Sequence, residues 1–271
     1  MYRLVSRENR SASVVAFGSA QFGGREFVMI AGPCAIESRE QIERTALHVA
    51  RCGASVVRGG AYKPRTSPYS FQGLGDVAVD LIARASIHSG LPSVVEALAE
   101  SDLAVLAPRV DAIQIGARNM QNFALLRAAA KAGKPILLKR GPAATLDELL
   151  YAAEYLLLEG NHDVVLCERG VRGFDPQTRN LFDLAGALRL KELTHLPVIV
   201  DPSHATGRRS LVAPLVVAAA AAGLDGAMVE VHPDPSVARS DAEQALTFED
   251  FEELMRRLSG GPAKVVMAAG R

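Results

Sequence analysis

Eight times along this 271-residue chain a short, β-branched apolar run ends at a residue able to carry chemistry, and that rhythm constrains the fold more than any other feature. The runs are FVMIAGPC ending at Cys34, SVVRGG with Arg58, SVVEA with Glu96, AIQIGAR with Arg118, PILLKRG with Lys139, VVLCERG with Glu168 and Arg169, PVIVDPSH with His204, and GAMVEVH with Glu230. Continuous apolar runs of this length read as strands buried on both faces, and buried parallel strands need crossover helices between them. The intervals hold one helix each. Eight β/α units make a (β/α)8 barrel of about 250 residues, with its active site at the carboxyl ends of the strands. The expected fold class is therefore α/β, a single TIM barrel over residues 27–271. Residues 1–26 form an N-terminal extension in which SVVAFGSAQFGG is predicted as a short strand or hairpin on the barrel floor.

Composition narrows the partners. Lys plus Arg and Asp plus Glu are both 30, so the formal net charge is zero and neither nucleic acid nor an anionic membrane is an expected partner. Cys34, Cys52 and Cys167 are too few and too scattered for a disulfide framework, which points to a reducing compartment. The start, MYRLVSRENR, lacks the apolar region of a signal peptide. The most apolar stretch, Leu211 to Leu224, is shorter than a membrane span and contains Pro214. A cytoplasmic location is the expectation.

Helices are predicted in each interval, among them SREQIERTALHVARCG, NFALLRAAAKAG, TLDELLYAAEYLLLEG, TRNLFDLAGALRLKE and TFEDFEELMRRL. Ser38 with Gln41 and Thr145 with Glu148 fit capping boxes, and Gly53 fits a C′ glycine. One connection breaks the pattern. GGAYKPRTSPYSFQGLG, after Arg58, is long, rich in Gly, Pro and Ser, and carries Lys63 and Arg65, which marks it as a binding segment rather than a spacer.

Two constellations stand at the strand ends. Cys34, His204, Glu230 and Asp241 are the set that looks like a metal site, and a thiolate, an imidazole and two carboxylates suit Mn, Fe, Co, Zn or Cu without selecting among them. Each residue has a plainer reading: Cys34 as a small buried hydrophobe, His204 as a hydrogen-bonded turn residue, Asp241 as a helix cap. Glu230 is harder to dismiss, because a carboxylate inside VEVH is buried at a cost unless paired. The second set is cationic: Arg58, Lys63, Arg65, Arg118, Lys139, Arg140 and Arg169. In a neutral protein, cations gathered at one mouth focus their field on an anionic substrate carrying two or three acidic groups.

The segments IAGPCAIES, RGGAYKPRTSPYSFQGLG, QIGARNMQN, LLKRG, CERG, LPVIVDPSHATGRRSLV and MVEVHPDP with SDAEQ resemble the 3-deoxy-D-arabino-heptulosonate 7-phosphate (DAHP) synthases, in family order, from about Val28 to Leu258. The match is nearest to the compact microbial type I subgroup. The resemblance implies a transferase of the shikimate pathway that condenses phosphoenolpyruvate with erythrose 4-phosphate and depends on one divalent metal. It implies Cys34, His204, Glu230 and Asp241 as metal ligands. Arg58, Lys63, Arg118, Lys139 and Arg169 would hold phosphoenolpyruvate, Arg65 and Thr66 the phosphate of erythrose 4-phosphate, and Glu96 would stand near the reacting carbons. Lys63, Glu96, Cys34 and His204 form the expected catalytic set.

Several positions depart from the family pattern: the surroundings of Glu96 in SVVEALAESDL, and Pro142, Gly173 and Pro176 in the mouth loops. The nearest rival is the sister enzyme that uses arabinose 5-phosphate to make 3-deoxy-D-manno-octulosonate 8-phosphate. Its loop resembles KANRS, whereas this chain has KPRTS at 63–67. A non-catalytic regulatory paralogue is a third reading, and it predicts lost ligands. A homo-oligomer is expected, with feedback by aromatic amino acids weak or absent unless a partner protein supplies it.

Overall fold

The computed structural model describes residues 2–8, 10–65 and 67–260. The chain begins with an antiparallel hairpin of β1 (Val15–Phe17) and β2 (Ala20–Phe22). The barrel then alternates β3 (Val28–Gly32), α1 (Arg39–Arg51), β4 (Val56–Arg58), α2 (Asp76–Ser89), β5 (Ser93–Ala97), α3 (Glu100–Leu106), β6 (Ala112–Ile115) and α4 (Phe123–Lys131). It continues through β7 (Ile136–Lys139), α5 (Leu146–Leu158), β8 (Val164–Glu168), α6 (Leu184–Leu193), β9 (Val198–Val200), α7 (Pro202–Thr206), α8 (Arg209–Ala221), β10 (Gly226–Glu230) and α9 (Phe248–Ser259). Strands β3 to β10 are all parallel and close on themselves, with β10 paired to β3. The eight-unit barrel read from the sequence is the fold observed.

Alternation along each strand sorts the core into two layers. Met29, Ala31, Val57, Val95, Ile113 and Leu138 face outward under the helices. Val28, Ile30, Val56, Val94, Ala112, Leu137, Val165, Cys167, Ile199 and Met228 face the barrel axis. Phe17 and Phe22 of the hairpin join this inner layer with no exposure, their rings 4.6 Å apart, so the hairpin seals the floor. Among the described residues no helix is long and apolar enough to cross a membrane.

Most helix N-termini fall where a side chain caps them. Ser38 Oγ accepts from the Gln41 amide at 3.1 Å, but Gln41 turns its own amide group to the Ala35 carbonyl and the Glu37 N–H, so only half of the expected box forms. Thr145 and Glu148 form the full box. One expectation is corrected: the helix read from Thr178 starts at Leu184, because Asp183 caps it by accepting from the Gly186 amide at 2.7 Å. The preceding residues instead pair backbone with backbone, Val171 with Leu181 and Asn180 with Ala205. They form a loop over the mouth.

Candidate active site

The same alternation decides which strand-end groups enter the barrel. Arg58 continues the inward series from Val56, Glu96 from Val94, Gln114 from Ala112, Lys139 from Leu137, Arg169 from Val165 and Cys167, Asp201 from Ile199, and Glu230 from Met228. Of these, Arg58, Glu96, Gln114, Lys139 and Arg169 line a cavity of about 700 Å³ at the carboxyl end, together with Lys63, Arg65, Arg118, His204 and Asp241. Thr66 lies outside the described residues. A larger cavity of about 980 Å³ opens outside the barrel between α8, α9 and residues 176–179, and none of the predicted site residues lines it.

The four candidate metal ligands come from three adjacent strands and one loop. Ligating atoms of Cys34, His204, Glu230 and Asp241 all lie within 4.8 Å of one another. Cys34 follows β3 after Gly32, where φ is +153° and an added Cβ would sit 2.0 Å from the Arg58 carbonyl oxygen, so glycine is required for the chain to pass. His204 stands on the single turn of α7. Asp201 caps that turn through its Oδ1 and sets its Oδ2 2.7 Å from His204 Nδ1, which leaves Nε2 facing Glu230 Oε1 at 3.1 Å and Asp241 Oδ2 at 3.8 Å. A carboxylate fixing the far nitrogen of an imidazole is the arrangement that orients metal-binding histidines. Asp241 is the one non-glycine among the described residues with left-handed backbone, φ +53°, a conformation that aspartate tolerates better than most. It is not a helix cap.

The donor set therefore fits a divalent transition metal on geometry as well as on residue type. Within the cluster, the acidic groups are hydrogen-bonded to one another and to neighbouring side chains. Cys34 Sγ donates to Asp241 Oδ2 at 2.9 Å, and Glu230 Oε2 accepts from Gln244 at 2.7 Å. Burial alone would lower the His204 pKa, but Asp201 and Glu230 push it up to about 10. Burial likewise opposes the charge on Glu230, yet His204 and then Arg58 hold its carboxyl well below the usual range. Lys63 is buried, which disfavours its charge, but Cys34, Glu96 and Glu230 together outweigh that, so it stays an ammonium above its ordinary pKa. Its Nζ donates to Cys34 Sγ and to the Cys34 carbonyl, each at 3.0 Å.

On the opposite wall, Glu96 accepts from Gln114 Nε2 at 2.9 Å, and Gly116 makes the space, since an added Cβ there would lie 1.9 Å from Glu96 Oε1. Arg65 donates from Nε to the Phe71 carbonyl at 3.0 Å and keeps Nη2 without a partner, while Arg118 donates to the Pro64 carbonyl at 3.3 Å. Arg140 departs from the expected cationic set. Its position is one residue out of phase with Lys139, so it points outward and is buried against Glu168 Oε2 at 2.9 Å and Asp183 Oδ2 at 2.8 Å. Sequence reasoning passed over Asp201, Gln114, Arg172 and Arg179. The parity of strands β6 and β9 carries the first two, whereas Arg172 and Arg179 reach the cavity from the mouth loop, for which the strand rhythm gives no signal.

Comparisons with known proteins identify the family. The profile of the DAHP synthetase I family matches residues 12–260. A phospho-2-dehydro-3-deoxyheptonate aldolase of Thermotoga maritima is 49% identical over 95% of this chain and 76% of its own. The crystal structure of a Thermotoga maritima protein of that name, also called DAHP synthase, superposes with a TM-score of 0.93 at 48% identity, over 96% of this chain and 76% of that one. A truncated form of the Thermotoga maritima synthase gives 0.89 at 44%, over 95% of each chain. A 2-dehydro-3-deoxyphosphooctonate aldolase of Bradyrhizobium is 33% identical over 92% of this chain and 93% of its own.

Proposed function

The chain belongs to the DAHP synthetase I family, and from that premise we propose a division of labour within its cavity. The reaction joins phosphoenolpyruvate, erythrose 4-phosphate and water into DAHP and inorganic phosphate, the first step of the shikimate pathway. The observation that carries the site reading is the convergence, at one mouth, of a four-donor cluster and a wall of inward-facing cations.

The family is generally metal-dependent. Cys34, His204, Glu230 and Asp241 would hold one divalent ion of the Mn, Fe, Co, Zn or Cu series. When bound, it supplies Lewis acidity toward an aldehyde oxygen. Arg58, Lys63, Arg118, Lys139 and Arg169 bind the phosphate and carboxylate of phosphoenolpyruvate, the guanidinium forks matching pairs of oxyanion oxygens and the lysines acting as point charges. Arg65, with its unpartnered Nη2, and Thr66 take the phosphate of erythrose 4-phosphate, which turns its aldehyde toward the deeper cluster. C3 of phosphoenolpyruvate then attacks the aldehyde carbon, positive character grows at C2, and water adds there. The hemiketal phosphate collapses with C–O cleavage. Glu96, braced by Gln114, orders that water, and the Lys63 ammonium stands ready to donate to the developing alkoxide.

Phosphate release from phosphoenolpyruvate is the direct test. Turnover with erythrose 4-phosphate, and little with arabinose 5-phosphate, is expected. The reverse preference would move the chain to the sister activity.

A further inference from the structure

Each of the four metal ligands is tied to one cation of the cavity wall. Lys63 Nζ donates to Cys34 Sγ at 3.0 Å, Arg58 Nη1 to Glu230 Oε1 at 2.8 Å, and both terminal nitrogens of Arg179 lie 3.3 Å from Asp241 Oδ1. The fourth link runs through a shared carboxylate: Lys139 Nζ is hydrogen-bonded to Asp201 Oδ2, the oxygen that also faces His204 Nδ1. Arg58, Lys63 and Lys139 are residues placed above on phosphoenolpyruvate. Arg179 has no role in that scheme, yet it lines the same cavity, comes from a different loop, and holds a metal ligand as Arg58 and Lys63 do.

These hydrogen bonds act against both ligands of the site. A carboxylate oxygen or a sulfur holding a cation in a charge-assisted bond shares its lone pairs and is a weaker donor to a metal. The cation so held is also less available to a substrate anion. Whatever satisfies one partner of a pair releases the other.

We propose that Arg179 belongs with Arg58 and Lys63 to an exchange set: metal entry takes over Cys34, Glu230 and Asp241 and frees Lys63, Arg58 and Arg179 for substrate anions, while Lys139 stays on Asp201. Metal and phosphoenolpyruvate then bind with positive coupling, and by linkage each tightens the other by the same factor. The inference rests on the placement of phosphoenolpyruvate in this cavity.

Calorimetric titration separates the two questions. Phosphoenolpyruvate affinity is measured on metal-stripped and Mn(II)-loaded protein, and Mn(II) affinity with and without saturating phosphoenolpyruvate. Inorganic phosphate is a second probe that does not depend on the functional reading. The expected result is a mutual tightening of roughly ten- to a hundredfold. Arg179→Gln removes the cation that competes for Asp241, so it should tighten Mn(II) by up to about tenfold in the absence of anion and should shrink the coupling. Arg179→Lys should restore part of both. An Arg179 that only supports the loop would change the melting temperature and leave both quantities alone, which overturns its role. Equal affinities of both anions with and without metal overturn the exchange. If phosphoenolpyruvate fails to bind the loaded protein while phosphate remains metal-coupled, the exchange stands and the functional reading falls.

Discussion

The floor and the mouth of the barrel are built by the same strands, pointing their side chains in the same direction, and they differ by a step of two residues. On β4 that step goes from Val56, in the inner core, to Arg58; on β10 it goes from Met228 to Glu230. Below the step, Phe17 and Phe22 close an apolar plug; above it, buried charges pair with one another, Arg58 with Glu230 and Lys139 with Asp201. Stability is thus concentrated at one end of the axis and chemistry at the other. Substitutions at the two ends should separate cleanly.

The largest effect belongs to the mouth. Cys34→Ser should fold with nearly wild-type stability, since the side chain is small, and should lose metal and activity. The loss of Lewis-acid stabilisation is worth several kcal/mol, so phosphate release should fall by a factor on the order of 10³ or more. Exhaustive chelation of the wild type should do the same, with several divalent ions restoring activity to different extents. Normal turnover of Cys34→Ser with metal bound would return that cysteine to the core and break the comparison. The floor should show the mirror image. Phe17→Ala leaves a cavity where the hairpin meets the barrel and should cost about 3–5 kcal/mol in urea unfolding, with kcat unchanged under native conditions. A large drop in kcat would mean that the plug also shapes the mouth.

Much of this division is written in the period-two pattern. The runs ending in Arg58, Glu96, Lys139, Arg169 and Glu230 announce both the strands and the groups that cap them, and the barrel follows from their count. What the pattern omits is phase. Lys139 and Arg140 are adjacent in LLKRG and equally cationic, but only the first shares parity with Leu137 and enters the barrel. Counting pleats from the inner core would have removed Arg140 and added Asp201. Arg179 and Asp241 were out of reach of any such count. They meet across 62 residues because two loops cross at the mouth, and loop paths depend on backbone pairings such as Arg179 N–H to the Thr206 carbonyl at 3.0 Å.

Arg140 sharpens the contrast between inward and outward cations. Arg140→Met removes the partner of a buried carboxylate and should cost about 3 kcal/mol in stability. Burial raises the Glu168 carboxyl above its ordinary value even with Arg140 and the Gly170 amide opposing the shift, and losing Arg140 raises it further. An acid whose folded pKa exceeds its unfolded one stabilises the fold fully below the unfolded value, near 4.5, and loses that contribution as pH rises through the folded value. The deficit of Arg140→Met relative to wild type should therefore be smaller at pH 5 than at pH 8 in thermal melts. A deficit independent of pH would mean that Glu168 finds another partner.

The smallest effect is expected at the rim, where Arg65 is only half-buried and serves one anion. Arg65→Ala removes one charge-assisted contact to the phosphate of erythrose 4-phosphate, worth roughly 1.5–3 kcal/mol, or ten- to a hundredfold in apparent affinity for that substrate. The KM for phosphoenolpyruvate should hardly move. Lys63→Ala, two residues away but buried against Cys34, should lower kcat as well, because Lys63 stands at the reacting centre. Steady-state kinetics with each substrate varied in turn distinguish these outcomes. Should Arg65→Ala instead raise the KM for phosphoenolpyruvate alone, the two anion pockets are exchanged, and the preference for the four-carbon aldose over arabinose 5-phosphate loses the physical basis that the KPRT loop gives it.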